Sequence, residues 1–249
     1  MTLRPVMTAD GSLTLFVPGL NEHYHSIFGA VQESMHIFIE AGLGSFASRK
    51  EVSVLEVGFG TGLNAFLSMI EAGKKSQRIL YSSIEAFPLE EKLYSTLNYP
   101  DVTGFPEYQS LFFRLHTSPW NEPVQITDHF CLEKIHASLE IRKFDPERFD
   151  LIFFDAFGPD VQPELWKEAI FMELYQTLKP GGVLVTYSAK GSVRRAMKRA
   201  GFTIEKLPGP KGKREMTRAR KGGTRQRRAP AGGTRQRRAP AGDVRQQGK

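Results

Sequence analysis

Val52-Ser-Val-Leu-Glu-Val-Gly-Phe-Gly-Thr-Gly-Leu-Asn64 decides how this chain is read. Val52, Val54, Leu55 and Val57 make a short β-branched and apolar run, as expected of a strand buried on both faces of a parallel sheet. Gly58, Gly60 and Gly62 end it on alternate positions, and Leu63, Phe66, Leu67 and Ile70 then recur at helical spacing. A strand, a glycine turn and a helix in that order let a ligand approach bare backbone, beside a helix N-terminus whose unpaired N–H groups favour an anion. Spacing excludes two common versions of such a turn. The dinucleotide fingerprint needs a glycine where Leu63 stands, and the phosphate-cradling loop needs a Gly-Lys-Ser/Thr ending that is missing.

The chain has 249 residues, enough for one sizeable α/β domain and cramped for two. One cysteine, Cys131, rules out an internal disulfide, and no Cys/His cluster has zinc spacing, so no metal is expected. The N-terminus lacks the apolar core of a secretory signal and no run approaches a membrane span, so the expectation is a cytoplasmic protein without a membrane partner. The net charge of +7 is unevenly spread. Residues 211–249 hold 14 of the 34 Lys and Arg and only Glu215 and Asp243 of the 27 acids, a net +12 that leaves the other 210 residues at −5. Basic character belongs to the tail, and the body is mildly acidic.

Outward from the glycine turn, strand and helix signals alternate. Residues 10–20 alternate loosely from Ser12 to Val17 and end at Pro18-Gly19, which suggests a short hairpin or an edge strand, and Asn21 is placed to cap a helix reaching Gly42. The polar Tyr24, His25, Glu33, Ser34 and His36 on that helix read as solvated, the alternative being that Glu33 and Ser34 cover a ligand site. Arg78 to Glu85 reads as the second strand. It ends in an acid about 25 residues beyond the turn, where α/β nucleotide folds hold two ribose hydroxyls. Val124 to Asp128 reads as the third strand and puts Asp128 where such folds meet the adenine amino group. Arg148 to Asp155 is the fourth, apolar until its terminal acid, with Phe157 and Pro159 offering flat walls just after it. An acid there lies in the crevice at the carboxyl ends of the strands, where open α/β sheets bind ligands. A helix from Pro163, a strand at Val183–Tyr187, a helix at Ser192–Ala200 carrying Arg194 and Arg195, a strand at Phe202–Leu207 and an edge strand at Glu215–Ala219 complete the pattern. The expected units are a hairpin and helix at 1–45 packed on the core, an α/β domain at 46–221 and a basic tail at 222–249. In the tail Gly222 to Ala231 recurs unchanged as Gly232 to Ala241, and its composition predicts disorder.

The turn Glu56-Val-Gly-Phe-Gly-Thr-Gly62, with Glu85 and Asp155, resembles the class I S-adenosylmethionine-dependent methyltransferases. Four segments in order, Glu56 to Asn64, Ile84-Glu-Ala-Phe-Pro-Leu89, Phe154-Asp-Ala-Phe-Gly-Pro159 and Gly212-Lys-Arg-Glu-Met216, narrow this. They are similar to the MnmC-like tRNA methyltransferases, over about Gly11 to Ala219. The resemblance implies a Rossmann-like α/β fold with a seven-stranded, mostly parallel sheet and helices on both faces. It implies S-adenosyl-L-methionine as cofactor, held by Glu56, Gly58, Gly60, Gly62, Asn64, Glu85 and Asp128. The implied reaction is N-methylation of the 5-aminomethyl group of wobble (2-thio)uridine in tRNA. Asp155 would orient the amine, Phe157 and Pro159 would sandwich the flipped uracil, and Lys213 and Arg214 with Arg194 would meet anticodon phosphates. Only the low-complexity tail follows the methyltransferase segments, so the expectation is a stand-alone enzyme without the flavin domain of the bifunctional family members. Two other readings stay open: a methyltransferase or aminopropyl-transfer relative acting on a small amine or acid, and a non-enzymatic RNA-binding protein. If the tail supplies phosphate contacts, deleting residues 222–249 will weaken tRNA binding and flatten its dependence on salt; an unmoved slope in a filter-binding titration makes the tail passive.

Overall fold

The computed structural model describes residues 3–223, so the expectation of disorder in the basic tail lies outside it from residue 224 on. Strands β1 (Arg4–Met7), β2 (Leu13–Val17) and β3 (Glu22–His23) form a small antiparallel sheet. Helix α1 (Ala30–Ser34) follows and continues as a wide π-helical turn over Met35–Glu40. The helix therefore begins later than the sequence suggests. Asn21 adopts φ 53 in the turn before β3 and caps nothing. The free N–H groups of α1 are met from a distance: Ser12 Oγ accepts from Ala30 and Val31, and an Asp10 oxygen accepts from Gln32.

The main sheet has eight strands, not seven. They are β4 (Glu51–Val57), β5 (Arg78–Glu85), β6 (Pro123–Thr127), β7 (Phe130–His136), β8 (Phe149–Phe154), β9 (Leu178–Thr186), β10 (Thr203–Pro208) and β11 (Glu215–Arg220), in the spatial order β10-β11-β9-β8-β4-β5-β7-β6. The five inner strands β9, β8, β4, β5 and β7 are parallel, and the edge strands run antiparallel to their neighbours. Chain order reverses at β4, which lies between β5 and β8, so a crevice opens at their carboxyl ends.

The additional strand is β7. Lys134 breaks its apolar pattern, yet the side chain is fully buried, its ammonium 4.5 Å from the Trp120 ring centroid and donating to the His116 carbonyl. That pairing hides the charge from water in a way the local sequence does not announce. The run Val124 to Asp128, read from the sequence as the third strand, falls on β6, an antiparallel edge, and the turn after it.

Helices cover both faces. On one side α2 (Leu63–Lys75), the short α3 (Glu91–Tyr94) and α4 (Tyr99–Val102), α5 (Gln109–Thr117) and the Ala30–Phe46 segment pack over Val52, Val54, Leu151 and Phe153. On the other side α6 (Glu168–Thr177) and α7 (Gly191–Arg199) pack over Leu55, Val57, Ile152 and Phe154. Alternation along each strand feeds both cores, and each fully buried Phe or Leu contributes about 2 kcal/mol.

The lower end of β8 is pinned by Asp150. Its buried carboxylate accepts from the Ser53 N–H at 2.9 Å, the Ser53 hydroxyl at 2.7 Å, Lys179 at 2.9 Å and Arg49 at 2.6 Å. Burial alone would raise its proton affinity, but the Ser53 N–H and the Lys179 ammonium outweigh it and hold the carboxyl below its usual range. Replacing Asp150 with Ala leaves these donors facing a void and is expected to lower unfolding free energy by about 2 kcal/mol in urea titration. A carboxyl held low stabilises the fold above its unfolded pKa, so the gap between wild type and variant should narrow as the solution is acidified below about pH 4.

Candidate active site

The carboxyl ends of β4, β5, β7, β8 and β9 enclose a cavity of about 580 Å³, roofed by residues 22–27 of the N-terminal segment. Its floor is the glycine turn. Gly58 adopts φ 93 and lies so near β8 that a Cβ would come 3.0 Å from the Asp155 carbonyl oxygen. A side chain is therefore excluded twice, by conformation and by space. Gly60, at φ 48, lies under the Tyr24 ring, and its N–H donates to Glu85 Oε2 at 3.0 Å. Glu85 Oε1 accepts the Phe87 N–H at 2.8 Å. The carboxylate at the end of β5 is thus fixed to the turn from both oxygens and keeps lone pairs for hydroxyls of a ligand.

Asp155 follows β8 deep in the cavity. Its N–H continues the β4 pairing by donating to the Val57 carbonyl at 3.0 Å, and Asn64 Nδ2 donates to its Oδ2 at 2.8 Å. Burial pushes its pKa up to about 8, the Asn64 amide opposing that rise and the nearby Glu33 adding to it. Beneath the turn Glu56 is wholly buried, accepts the Ser83 hydroxyl at 2.6 Å and is held well above the usual carboxylate range, again by burial first.

The walls are aromatic. Tyr24 meets Phe157 edge to face at 5.1 Å, and the Tyr187 hydroxyl, beyond β9, donates to the Ala156 carbonyl at 2.8 Å. Lys213 reaches in from the loop before β11, its ammonium 2.6 Å from Glu33 Oε1 and 4.2 Å from the Tyr187 ring centroid.

The sequence-derived residues therefore separate into groups. Gly58, Gly60, Asn64, Glu85, Asp155, Phe157 and Lys213 line the cavity together. Glu56 supports it from below, and Gly62, at the N-cap of α2, turns its Cα toward His116 outside it. Asp128 is a correction: it is exposed in the hairpin between β6 and β7, at the amino end of the parallel strands, because β7 rather than β6 pairs with β5. The segment after the matching strand is Ala137–Glu140, which does line the cavity. Arg194 is a second correction. Its guanidinium is buried and donates to Glu215 at 2.7 Å, Thr217 at 2.9 Å and the Met216 carbonyl at 3.1 Å, so it braces β11 and does not reach phosphate. Lys213 is a third, since it faces the cavity and a carboxylate. Arg214 is exposed and Pro159 half-buried; neither lines the cavity.

Glu33 and Tyr24 are the residues that sequence reasoning undervalued. Read as solvated, Glu33 is only 7 % exposed and accepts the Ser26 N–H at 2.8 Å. The sequence sets it among other polar residues, Gln32, Ser34 and His36, and does not single it out. Tyr24 was assigned to a helix that does not form there, and only the pairing of β3 with β2 brings it over the turn.

These residues fit S-adenosyl-L-methionine: bare backbone at Gly58 and Gly60, a fixed carboxylate at Glu85 for ribose, and an aromatic cavity with an acid at its far side. Residues 124–222 match the family model of an S-adenosyl-L-methionine-dependent methyltransferase. Two proteins called tRNA 5-methylaminomethyl-2-thiouridine biosynthesis bifunctional protein MnmC are similar to the chain. That of Cupriavidus metallidurans is 30% identical over 87% of this chain and 33% of its own length. That of Aromatoleum aromaticum is 33% identical over 87% of this chain and 35% of its own length. The chain thus spans about a third of the curated relatives it matches. The crystal structure of MnmC2 from Aquifex aeolicus superposes with a TM-score of 0.71 at 27% identity, covering 88% of this chain and 69% of that one. The chain carries an MnmC-like, S-adenosyl-L-methionine-dependent methyltransferase domain of the class I fold.

Proposed function

We propose that this domain methylates the amine of a 5-aminomethyl group on the wobble uridine of tRNA. The observation that carries the reading is Asp155, a carboxyl of raised proton affinity at the switch point of the sheet, between the glycine turn and an aromatic wall. The curated relatives' names, with their reference to tRNA 5-methylaminomethyl-2-thiouridine, support the substrate. A cytoplasmic place of action goes with it.

S-adenosyl-L-methionine, when bound, supplies a methyl group on an electrophilic sulfonium. The chain has to deliver a neutral amine to it, since an alkylammonium has no lone pair and its reference pKa is about 10. Ionised Asp155 accepts the amine's proton and holds its nitrogen in line, so that entropy of approach is lost on binding and not at reaction. Asn64 fixes the carboxylate through Oδ2 and leaves Oδ1 toward the substrate. Gly58 and Gly60 let the cofactor lie against backbone, and Glu85 accepts the ribose hydroxyls. Phe157 and Tyr24, in contact with each other, would form one aromatic wall for a flat base turned out of its stack, as enzymes acting on nucleobases require.

Asp155→Asn keeps the side chain's size and removes its base. Turnover measured by nucleoside mass spectrometry on tRNA carrying 5-aminomethyluridine is expected to fall by roughly 10²–10⁴-fold, with calorimetric affinity for S-adenosyl-L-methionine kept. Unchanged turnover would overturn the assignment. The pH profile gives a second test. In the free enzyme Asp155 is protonated below about pH 8, so kcat/KM should climb as pH rises through that value, and the Asn variant should lose this limb. Because the folded protein holds a proton there that the unfolded chain releases, stability falls as pH rises from the ordinary carboxylate range toward 8. Asp155→Asn should therefore melt no lower than wild type at pH 8, which separates lost chemistry from lost fold.

A further inference from the structure

Lys213 sits in a basic loop, Lys211-Gly-Lys-Arg214, yet its ammonium is turned inward. Three elements fix it there. Glu33 on α1 accepts from it at 2.6 Å, and that carboxylate is itself held by the Ser26 N–H at 2.8 Å. The Tyr187 ring beyond β9 lies 4.2 Å below it. The loop packs on the Phe28 ring at Gly212, whose φ of 84 and closeness to that ring, 2.3 Å from a built Cβ, leave no room for a side chain. Glu33, Lys213, Tyr187 and Asp155 line one cavity, and Glu33 and Lys213 are near enough to act on the charge of Asp155.

An ammonium carries three donors and no acceptor. Among the described residues Glu33 is its one hydrogen-bond acceptor, so donor capacity remains for a ligand in the cavity. An ion pair that served only to tie the loop down could lie anywhere on that surface. This one stands beside the proposed base, oriented by an aromatic face. A pyrimidine with an aminomethyl group at C5 presents two neighbouring groups on one edge: the amine, and the substituent at C4. In uracil the latter is the O4 acceptor, and in cytosine it is an amino donor.

We propose that Lys213 reads the C4 position of the target base, donating to O4 of uracil while Asp155 holds the amine beside it, so that the pair selects uracil over cytosine. The inference rests on the tRNA reading above. Glu33 is the positioning residue, keeping the ammonium aimed at the cavity. A cytosine in the same place sets N–H against N–H, the kind of mismatch that polar sites reject most strongly.

The test compares anticodon stem-loop RNAs that carry 5-aminomethyluridine or 5-aminomethylcytidine at the wobble position, using the full chain and reading methyl transfer by mass spectrometry. Wild type is expected to prefer uridine by roughly 10–100-fold in kcat/KM. Lys213→Met should bring that ratio near one, Lys213→Arg should keep much of it, and Glu33→Gln should lower it, with cofactor affinity and melting temperature of each variant recorded as controls. A ratio that Lys213→Met leaves unchanged overturns the proposal. So does loss of cofactor affinity with the ratio kept, which would put Lys213 against the cofactor. Wild-type activity that is equal on both RNAs removes this inference and spares the tRNA reading, whereas no transfer to either RNA removes both.

Discussion

The parallel pairing of β8 with β4 is the constraint on which the site depends. It carries the chain back across the sheet and continues one step beyond the strands, where the Asp155 N–H donates to the Val57 carbonyl at 3.0 Å. That step brings the Asp155 backbone against Gly58 so closely that no side chain fits between them. The glycine is thus explained twice, by the ligand that needs bare backbone and by the strand that needs the space. With β5 paired on the other side of β4, the ends of three strands deliver the glycine turn and the carboxyls of Glu85 and Asp155 to one edge.

The cost of that arrangement is electrostatic. Asp155 and Glu56 are buried carboxyls on adjacent strands, and both are held above the ordinary carboxylate range, chiefly because charge is poorly solvated there. Glu56 has the Ser83 hydroxyl for company, whereas Asp155 is tied to Asn64 on α2. Among the described residues neither has a cation directly bound to it. The nearby cation, Lys213, is held by Glu33 instead, and the proton affinity of Asp155 stays raised. Where the protein wants a carboxylate held ionised it does the opposite: Asp150, at the lower end of β8, has two cations and a serine around it.

The N-terminal segment converts an open crevice into an enclosed cavity. β3 pairs with β2, and the residues after it cross the glycine turn, where Tyr24 covers Gly60 and meets Phe157. The Ser26 N–H and Lys213 both reach Glu33, so roof, helix α1 and the loop before β11 converge on one carboxylate. Excluding water strengthens every interaction within such a cavity.

The sequence by itself determined the central strands, the glycine turn, Glu85 and Asp155, because each rests on a short-range signal: a β-branched run, a glycine spacing, or an acid that ends an apolar strand. It also determined that helices cover both faces, since β4 and β8 are apolar on both sides. It did not determine which strand pairs with β5. Lys134 makes β7 look like surface until Trp120 and the His116 carbonyl are folded over its ammonium, and the mistaken choice of β6 carried Asp128 to the wrong end of the sheet. Nor did it settle the fate of the cations. Arg194 and Lys213 are alike in composition and neighbourhood, and their carboxylate partners lie 21 and 180 residues away. Whether a charge faces solvent, a strand or a cavity depends on which distant carboxylate the fold brings to it, and only the tertiary structure decided that.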